Sequence, residues 1–167
     1  MKEVLLLDES GAVCGRCEKQ KAHIDGLYHL AYSVIIKDTK GNMLLQRRAV
    51  EKYHSGGKWS NACCSHPDSD EPEKIKEHAK NRMLEELGFT CEIEPLTEFS
   101  YRAVVGELVE NERDMVFCGE YEGEVNPDAQ EVCDYRWVSP KELSDWTGSS
   151  PEDFSPWFLR LLQIIGI

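Results

Sequence analysis

The stretch PEKIKEHAKNRMLEELG, from Pro72 to Gly88, predicts the clearest helix of the chain, over residues 72–87. Pro72 suits a first turn, where its missing N–H would have no helical partner, and Gly88 suits the end because glycine adopts left-handed backbone easily. At about 100° per residue, four apolar side chains align on one face. They are Ile75, Ala79, Met83 and Leu87. This face predicts a helix that packs against a sheet.

Two charged residues of this helix fall at the edge of the apolar stripe or within it. They are Arg82 and Glu86, and solvent would be the less costly place for their charges. In one interpretation they form an i,i+4 ion pair worth roughly a few tenths of a kcal/mol, with their stems along the core. In the other, Glu86 reaches into a cleft towards a cation and Arg82 towards an anion. The helix alone leaves both interpretations open.

Strand-like segments lie on both sides of this helix. They cover residues 4–7, 29–36, 43–46, 99–105, 109–121 and 134–138. The turn-rich residues 38–42 predict a hairpin between the second and third of them, and Ser139-Pro140 and Ser155-Pro156 each predict the start of a helix. Hairpins replace a regular βαβα alternation, which favours an α+β fold with a mixed sheet over a Rossmann fold. No linker divides the chain, so we expect residues 1–167 to form a single domain.

Residues 53–69 have neither a helical nor a strand period, and they predict a long loop. Long irregular loops in compact domains are usually functional or mobile. Cys64 and His66 stand two residues apart, so an extended backbone would point both side chains the same way. A thiol and an imidazole in this arrangement are either a nucleophile and its base, or metal ligands.

Two carboxylates show the same spacing in a predicted strand, where Glu110 and Glu112 would project from one face. Two carboxylates at so short a distance either raise the pKa of one of them or bind a metal. Alternatively, this face of the strand is simply solvated. Of the five histidines, three stand where the backbone could converge with this strand: His23, His29 and His66. Together these residues would supply nitrogen and oxygen ligands for a divalent ion such as Mn²⁺ or Zn²⁺.

The charge balance narrows the possible partners. A formal net charge of −12 argues against nucleic-acid binding, which depends on Lys and Arg contacts with phosphates. A small anionic substrate is compatible, because basic residues cluster at Arg47-Arg48 and Lys52, with Lys19 upstream and Arg82 on the helix. Such a group predicts a diphosphate clamp.

No apolar run approaches the roughly 18 residues that span a bilayer, so we expect a cytoplasmic protein with no membrane partner.

Seven cysteines, an odd number, in a chain without an export signal predict reduced thiols. Cys14 and Cys17 form a lone CxxC, which we interpret as two loop thiols. We expect a monomer or a weak homodimer.

Taken together, these residues resemble the type 1 isopentenyl-diphosphate isomerases, a family with the Nudix fold. The most specific match is W-S-N-A-C-C-S-H-P at residues 59–67, followed by Glu110-Asn111-Glu112. Further matches are His23, residues 29–33, Arg47-Arg48-Ala49, Glu86-Leu87-Gly88, Tyr101-Arg102 and residues 154–157. The resemblance covers nearly the whole chain. It implies an α/β/α sandwich that interconverts isopentenyl diphosphate and dimethylallyl diphosphate through a carbocation-like state.

The resemblance also implies a role for each matched residue. One ion, Mn²⁺, Mg²⁺ or Zn²⁺, would be held by His23, His29, His66, Glu110 and Glu112, and Glu86 would hold a separate Mg²⁺ that bridges to the diphosphate. Cys64 and Glu112 would be the acid/base pair; the phase with His66 favours Cys64 over Cys63. Tyr101 would assist near Glu112, and Trp157 would lie against the reacting carbon. The phosphate oxygens would be bound by Lys19, Arg48, Lys52 and Arg82.

Two other functions are open at the level of sequence. A Nudix hydrolase of a small diphosphate carries the signature G-x5-E-x7-R-E-U-x-E-E-x-G-U; alignment on Gly88 places Arg82 where a metal-binding Glu belongs. A cation there removes a ligand and repels the hydrolytic Mg²⁺ cluster, which favours the isomerase. The third possibility is a degenerate Nudix module that only binds a metal or a partner.

Overall fold

The computed structural model describes residues 2–167, whose strands form one mixed sheet. The strands are β1 (Glu3–Leu7), β2 (Val13–Glu18), β3 (His29–Lys37), β4 (Met43–Arg48), β5 (Trp59–Asn61), β6 (Cys63–Ser65), β7 (Ile93–Val105), β8 (Leu108–Glu120) and β9 (Val132–Val138). The helices are α1 (Lys19–Asp25), α2 (Pro72–Leu87), α3 (Pro140–Ser149) and α4 (Pro156–Ile165).

The sheet lies between two layers of helices, and β3 shows why. Every residue of β3 except Lys37 is buried, and its alternate side chains serve two cores. Tyr32 and Val34 belong to the core that α2 closes, whereas Ile35 belongs to the core that α3 and α4 close. The α/β/α sandwich and the α+β class predicted from the sequence are confirmed.

Helix α2 has the predicted bounds. It begins at Pro72, and Gly88 caps it with φ at 75° and an N–H that donates to the carbonyl of Leu84. The four side chains of the apolar stripe are fully buried. Because an isolated helix of this length is marginal in water, burial of the stripe is what stabilises α2 on the sheet.

Strand β8 runs parallel to β3 over nine residue pairs, from His29 beside Glu112 to Lys37 beside Glu120. Strand β7 pairs with β8 in an antiparallel hairpin and places Tyr101 opposite Glu112. The sheet register alone therefore brings together three predicted site residues that are far apart in the sequence.

Strands β3 and β4 meet only near their connecting turn. Within residues 2–167 their register holds one pair, Lys37 with Met43, so the predicted hairpin does not continue beyond the turn. The strands then diverge, and β6 pairs with β3 while β5 pairs with β4. The prediction of an unbroken loop over residues 53–69 was wrong, because β5 and β6 lie within it. Each has three residues, too few to show a period of two.

Strand β2 and helix α1 were not predicted from the sequence. Strand β2 is largely exposed, so its buried and exposed side chains do not alternate. Helix α1 has only seven residues. The cap of α1 is Glu18, whose carboxylate accepts from the N–H groups of Gln20 and Lys21. The placement of Cys14 and Cys17 in a loop was wrong, because both lie in β2, although both are free thiols.

The remaining strands depart from prediction mainly at their starts. Strand β7 begins at Ile93, before the expected residue 99, because its first part is mostly exposed and carries an irregularity near Pro95. Helices α3 and α4 begin at the two predicted prolines. Among the described residues, no helix is both long and apolar enough to cross a membrane.

Gly88→Ala tests the close approach at the end of α2. A Cβ at Gly88 would lie 2.7 Å from the backbone oxygen of Asn126, whereas at Gly106, with φ at 62°, nothing lies within 4 Å. We expect Gly106→Ala to cost about 1 to 2 kcal/mol of unfolding free energy, because left-handed backbone disfavours a side chain. Gly88→Ala should cost clearly more in urea denaturation. Equal losses in the two variants would contradict the close contact.

Candidate active site

Three imidazoles and two carboxylates meet in the interior where α1, β3, β6 and β8 approach one another. This His/Glu cluster consists of His23, His29, His66, Glu110 and Glu112. Oε1 of Glu112 lies 3.1 Å from Nε2 of His29, 3.1 Å from Nε2 of His66 and 3.5 Å from Nε2 of His23. Oε2 of Glu110 lies 3.5 Å from Nε2 of His23. The structure therefore brings together all five residues predicted as ligands of one ion.

Local structure explains how these side chains converge. His23 lies on the buried side of α1 with Ala22. His29 is the first residue of β3, and His66 directly follows β6, which pairs with β3 through Ser65 and Tyr32. The carboxylates lie two residues apart on β8, so both point to the same face of the sheet.

The donor set of the cluster fits a divalent cation. Nδ1 of His29 donates to the carbonyl of Leu27 at 2.7 Å, and Nε2 of the same ring faces Oε1 of Glu112 at 3.1 Å. Nε2 of His29 and Nε2 of His66 lie 3.3 Å apart. An octahedral ion with ligands at about 2.1 Å sets neighbouring ligand atoms about 3 Å apart, which agrees with this spacing. Imidazole nitrogens with carboxylate oxygens suit a transition ion.

The two buried carboxylates of the cluster differ in their affinity for protons. Burial and the neighbouring charge of Glu112 raise the pKa of Glu110 to about 10. Burial acts in the same direction on Glu112, but hydrogen bonds with the three imidazoles outweigh it and hold the pKa of Glu112 well below its usual range. Because desolvated carboxylates are costly unless compensated, a divalent cation would stabilise the cluster strongly.

A cleft of about 520 Å³, open solvent at its mouth included, lies beside the cluster. It is lined by every predicted site residue except His29 and Tyr101, which contact the carboxylates instead. Cys64 lines the cleft, whereas Cys63 is fully buried in the core beneath α2. Burial raises the pKa of Cys64 to about 12, so its thiol is protonated at neutral pH.

Tyr101 and Asp114 flank Glu112. The hydroxyl of Tyr101 donates towards Oε2 of Glu112 at 3.3 Å and Oε2 of Glu110 at 3.4 Å. Burial and the nearby carboxylates raise the pKa of Tyr101 well above its usual value, so the phenol keeps its proton. Asp114 lies on the same face of β8 and accepts from Oγ of Ser33 at 2.7 Å. Burial raises the pKa of Asp114 well above its usual value too.

Trp157, in the first turn of α4, supplies an aromatic wall of the cleft. The Arg48 guanidinium lies 5.1 Å from its ring, and the His54 imidazole stacks on it at 5.1 Å with an interplanar angle of 13°. Nε and Nη2 of Arg48 donate to the carbonyl of His54 at 3.2 and 3.0 Å. These contacts hold the indole in place.

A network of ion pairs lines the cleft near α2. Nη2 of Arg82 lies 2.9 Å from Oε1 of Glu86 and 3.0 Å from Oε2 of Glu131, which also pairs with Lys52. Glu86 is buried and accepts from Nε2 of Gln46 at 2.9 Å. Both interpretations of the helix hold in part: Arg82 and Glu86 form the i,i+4 ion pair, and both line the cleft.

The basic side of the cleft is crowded enough to affect titration. Burial, followed by the charges of Lys2, Arg48 and Lys52, lowers the pKa of Lys19 to about 8. Like charges held this close repel one another, and an anion between them relieves that repulsion. The arrangement is compatible with the predicted phosphate-binding role of Lys19.

Six residues of the cleft lining had no role predicted from the sequence: Lys2, Ala31, Tyr32, His54, Ser65 and Asp114. Asp114 continues the alternation of Glu110 and Glu112, and this pattern could have revealed it. Lys2 and His54 belong to no periodic pattern, so no sequence signal pointed to them.

Known proteins match the chain over most of its length. The NUDIX domain matches residues 27–158. An isopentenyl-diphosphate Delta-isomerase of Burkholderia multivorans is 38% identical over 167 residues, which cover 99% of this chain and 94% of that protein. The chain belongs to the isopentenyl-diphosphate Delta-isomerase family. Another family member, from Serratia proteamaculans, is 38% identical and covers 99% of this chain and 93% of its own length.

Solved structures agree with the Nudix fold of this isomerase family. A protein of Deinococcus radiodurans has a TM-score of 0.70 at 14% identity and covers 89% of this chain and 90% of its own, which shows the fold alone. A MutT protein of Methanosarcina mazei has a TM-score of 0.60 at 26% identity and covers 80% of this chain and 88% of its own. The sequence resemblance to Nudix-type isomerases is confirmed.

Acid should destabilise the protein when a chelator has removed metal. Burial lowers the pKa of His66 from 6.5 to about 3, so between these values the unfolded chain binds a proton that the folded chain does not. The free energy of unfolding should therefore fall as pH decreases through this window. Denaturant titrations at several pH values measure it, and His66→Gln should flatten the dependence. A dependence that is the same in both proteins would contradict the burial of a neutral imidazole.

Proposed function

We propose that the protein interconverts isopentenyl diphosphate and dimethylallyl diphosphate. The observation that carries the proposal is that Cys64 and Glu112 line one cleft beside the His/Glu cluster, in a chain that belongs to this isomerase family. The reaction moves a carbon–carbon double bond within one molecule and leaves the diphosphate intact.

The chemistry needs two acid/base groups. One proton is delivered to the terminal carbon of the double bond, and another is removed from the carbon on its other side, through a carbocation-like state. We assign these steps to Cys64 and Glu112. The support for Cys64 is a thiol that is protonated at neutral pH and lines the cleft.

The two oxygens of Glu112 have different neighbours, which supports two roles for one carboxylate. Oε1 lies among the three imidazoles, whereas Oε2 lies 3.3 Å from the hydroxyl of Tyr101. We infer that Oε1 is the oxygen available to a metal and that Oε2 exchanges the proton. Tyr101 would assist by donating a hydrogen bond to Oε2 when it is unprotonated.

We propose that the His/Glu cluster holds Mn²⁺, or alternatively Mg²⁺ or Zn²⁺, and that Glu86 holds a separate Mg²⁺ next to the diphosphate. Bound there, the cations would compensate the buried carboxylates and the phosphate charge. The buried position of Glu86 on the cleft wall supports its assignment.

The diphosphate would lie along the basic side of the cleft. We assign its oxygens to the side chains of Lys19, Arg48, Lys52 and Arg82, all of which line the cleft. Lys52 and Arg82 already share the carboxylate of Glu131, so a diphosphate would compete with Glu131 for both cations. Charge-assisted hydrogen bonds of this kind suit phosphate oxygens.

Trp157 would face the reacting carbons. An indole face stabilises a cation by about 2 kcal/mol when both are desolvated. Its burial, with His54 and Arg48 packed on it, supports a wall that keeps water away from a carbocation-like state.

The wider properties of the protein are part of the same proposal. We propose a single domain over residues 1–167 that acts in the cytoplasm as a monomer or a weak homodimer. Its substrate would be a small diphosphate, with neither a nucleic acid nor a membrane as partner. The net charge of −12 supports the exclusion of nucleic acid, because it repels a polyanion.

Incubation with isopentenyl diphosphate, Mg²⁺ and Mn²⁺ in D₂O, followed by NMR, tests the proposed reaction. We expect dimethylallyl diphosphate that carries deuterium, because the delivered proton comes from solvent-exchangeable groups. Released phosphate would instead indicate the hydrolase, and intact, unlabelled substrate would indicate a binding module. Either result would contradict the isomerase.

Cys64→Ala and Cys63→Ala form a matched pair for the proton transfer. Cys64→Ala should lower kcat by at least about 100-fold, because a positioned acid contributes roughly 10²- to 10⁴-fold. Cys63→Ala removes the neighbouring thiol, which lies in the core, and should keep the kcat of the wild type. Rates of dimethylallyl diphosphate formation measure both. The proposed role of Cys64 fails if the two variants lose activity equally or if Cys64→Ala is fully active.

A further inference from the structure

His54 adjoins the His/Glu cluster although the isomerase mechanism above gives it no acid/base role. Its Nε2 contacts Oε1 of Glu110, and neither of these two buried atoms has a hydrogen-bond partner of suitable geometry. The rings of His54 and His23 lie 5.1 Å apart. With His23 and Glu110, His54 forms a second group of side chains that could share one metal ion.

The loop between β4 and β5 is folded to hold His54 in this position. Gly57 N–H donates to the carbonyl of Arg48 at 3.0 Å, and Arg48 donates through Nε and Nη2 to the carbonyl of His54. A Cβ at Gly56 would lie 2.4 Å from the backbone oxygen of Val50, so the turn closes tightly only with glycine there. This local order prepares the imidazole before any ion binds.

We propose that His54 is a sixth ligand of the ion held by the His/Glu cluster. Oε1 of Glu110 faces Nε2 of His54, whereas Oε2 of the same carboxylate faces Nε2 of His23. The carboxylate thus connects His54 to the other imidazoles. Five monodentate ligands would leave one position of an octahedral ion free, and His54 forms its group with His23 and Glu110, two residues of the same cluster.

The role of this sixth ligand rests on the proposed function. Without His54, a water molecule would complete the coordination and would lie close to Trp157, because the imidazole separates the cluster from the indole. Water there would threaten a carbocation-like state. Four imidazoles with two carboxylates also favour transition ions over Mg²⁺ at this position.

Mn²⁺ binding and water-proton relaxation test the ligand directly, without substrate. Water in contact with paramagnetic Mn²⁺ exchanges with the bulk and shortens its proton relaxation times. We expect little enhancement for the wild type loaded with Mn²⁺ and a clear rise for His54→Ala, in which water replaces the imidazole. The Mn²⁺ affinity should fall by about 10- to 100-fold, and added imidazole should restore the low enhancement.

His78→Ala is the matched control. It removes an imidazole on α2 that does not line the cleft and that pairs with the hydroxyl of Tyr32 at 2.8 Å. Both readouts should stay at wild-type values. His54→Gln, which preserves more of the side-chain volume, is measured alongside in case the alanine variant does not fold. Circular dichroism verifies the fold of each variant.

His29→Gln separates the two possible failures. One failure is that His29→Gln loses Mn²⁺ while both His54 variants keep wild-type relaxation and Mn²⁺ affinity. This result would overturn His54 as the sixth ligand and would leave the cluster as a metal site. Wild-type Mn²⁺ binding in His29→Gln would overturn the cluster as a metal site, and the sixth ligand with it.

Discussion

The structure depends on the parallel pairing of β3 with β8. Nine consecutive residue pairs fix the register, and the first of them sets His29 beside Glu112. A slip of one residue would turn Glu110 and Glu112 to the opposite face of the sheet, into the core beneath α2. The same strand residues that build the two hydrophobic cores therefore determine which side chains meet in the site.

The pairing of β3 with β8 brings acidic side chains together in the interior. The cleft is arranged so that cations can compensate their negative charge. Two carboxylates on β8 lie within one cluster of imidazoles, and a third acid, Asp114, follows on the same face. Burial of this kind is unfavourable unless cations compensate it. The other side of the cleft carries positive charge, from Lys19, Lys52 and Arg82, which negative charge would compensate. Glu131 forms ion pairs with two of these residues, Lys52 and Arg82. A metal ion and a diphosphate are complementary to these two halves.

The parts of the fold that the sequence predicted are those with long patterns. Helix α2 shows an apolar stripe from Ile75 to Leu87 and ends at a glycine, and its bounds were predicted correctly. Strands β5 and β6 were missed because three residues cannot show a period, and β2 was missed because its exposed side chains obey none. The candidate site residues were predicted from a motif and from i,i+2 spacing. His54 was missed because its position depends on how the loop after β4 folds, which no local pattern records.

Anomalous diffraction from crystals grown with Mn²⁺ tests most directly whether a cation compensates the buried carboxylates. We predict one strong anomalous peak inside the His/Glu cluster, within coordination distance of the imidazole Nε2 atoms and of both carboxylates. Crystals saturated with Mn²⁺ that show no peak there, with the imidazoles hydrogen-bonded directly to Glu110 and Glu112, would contradict it.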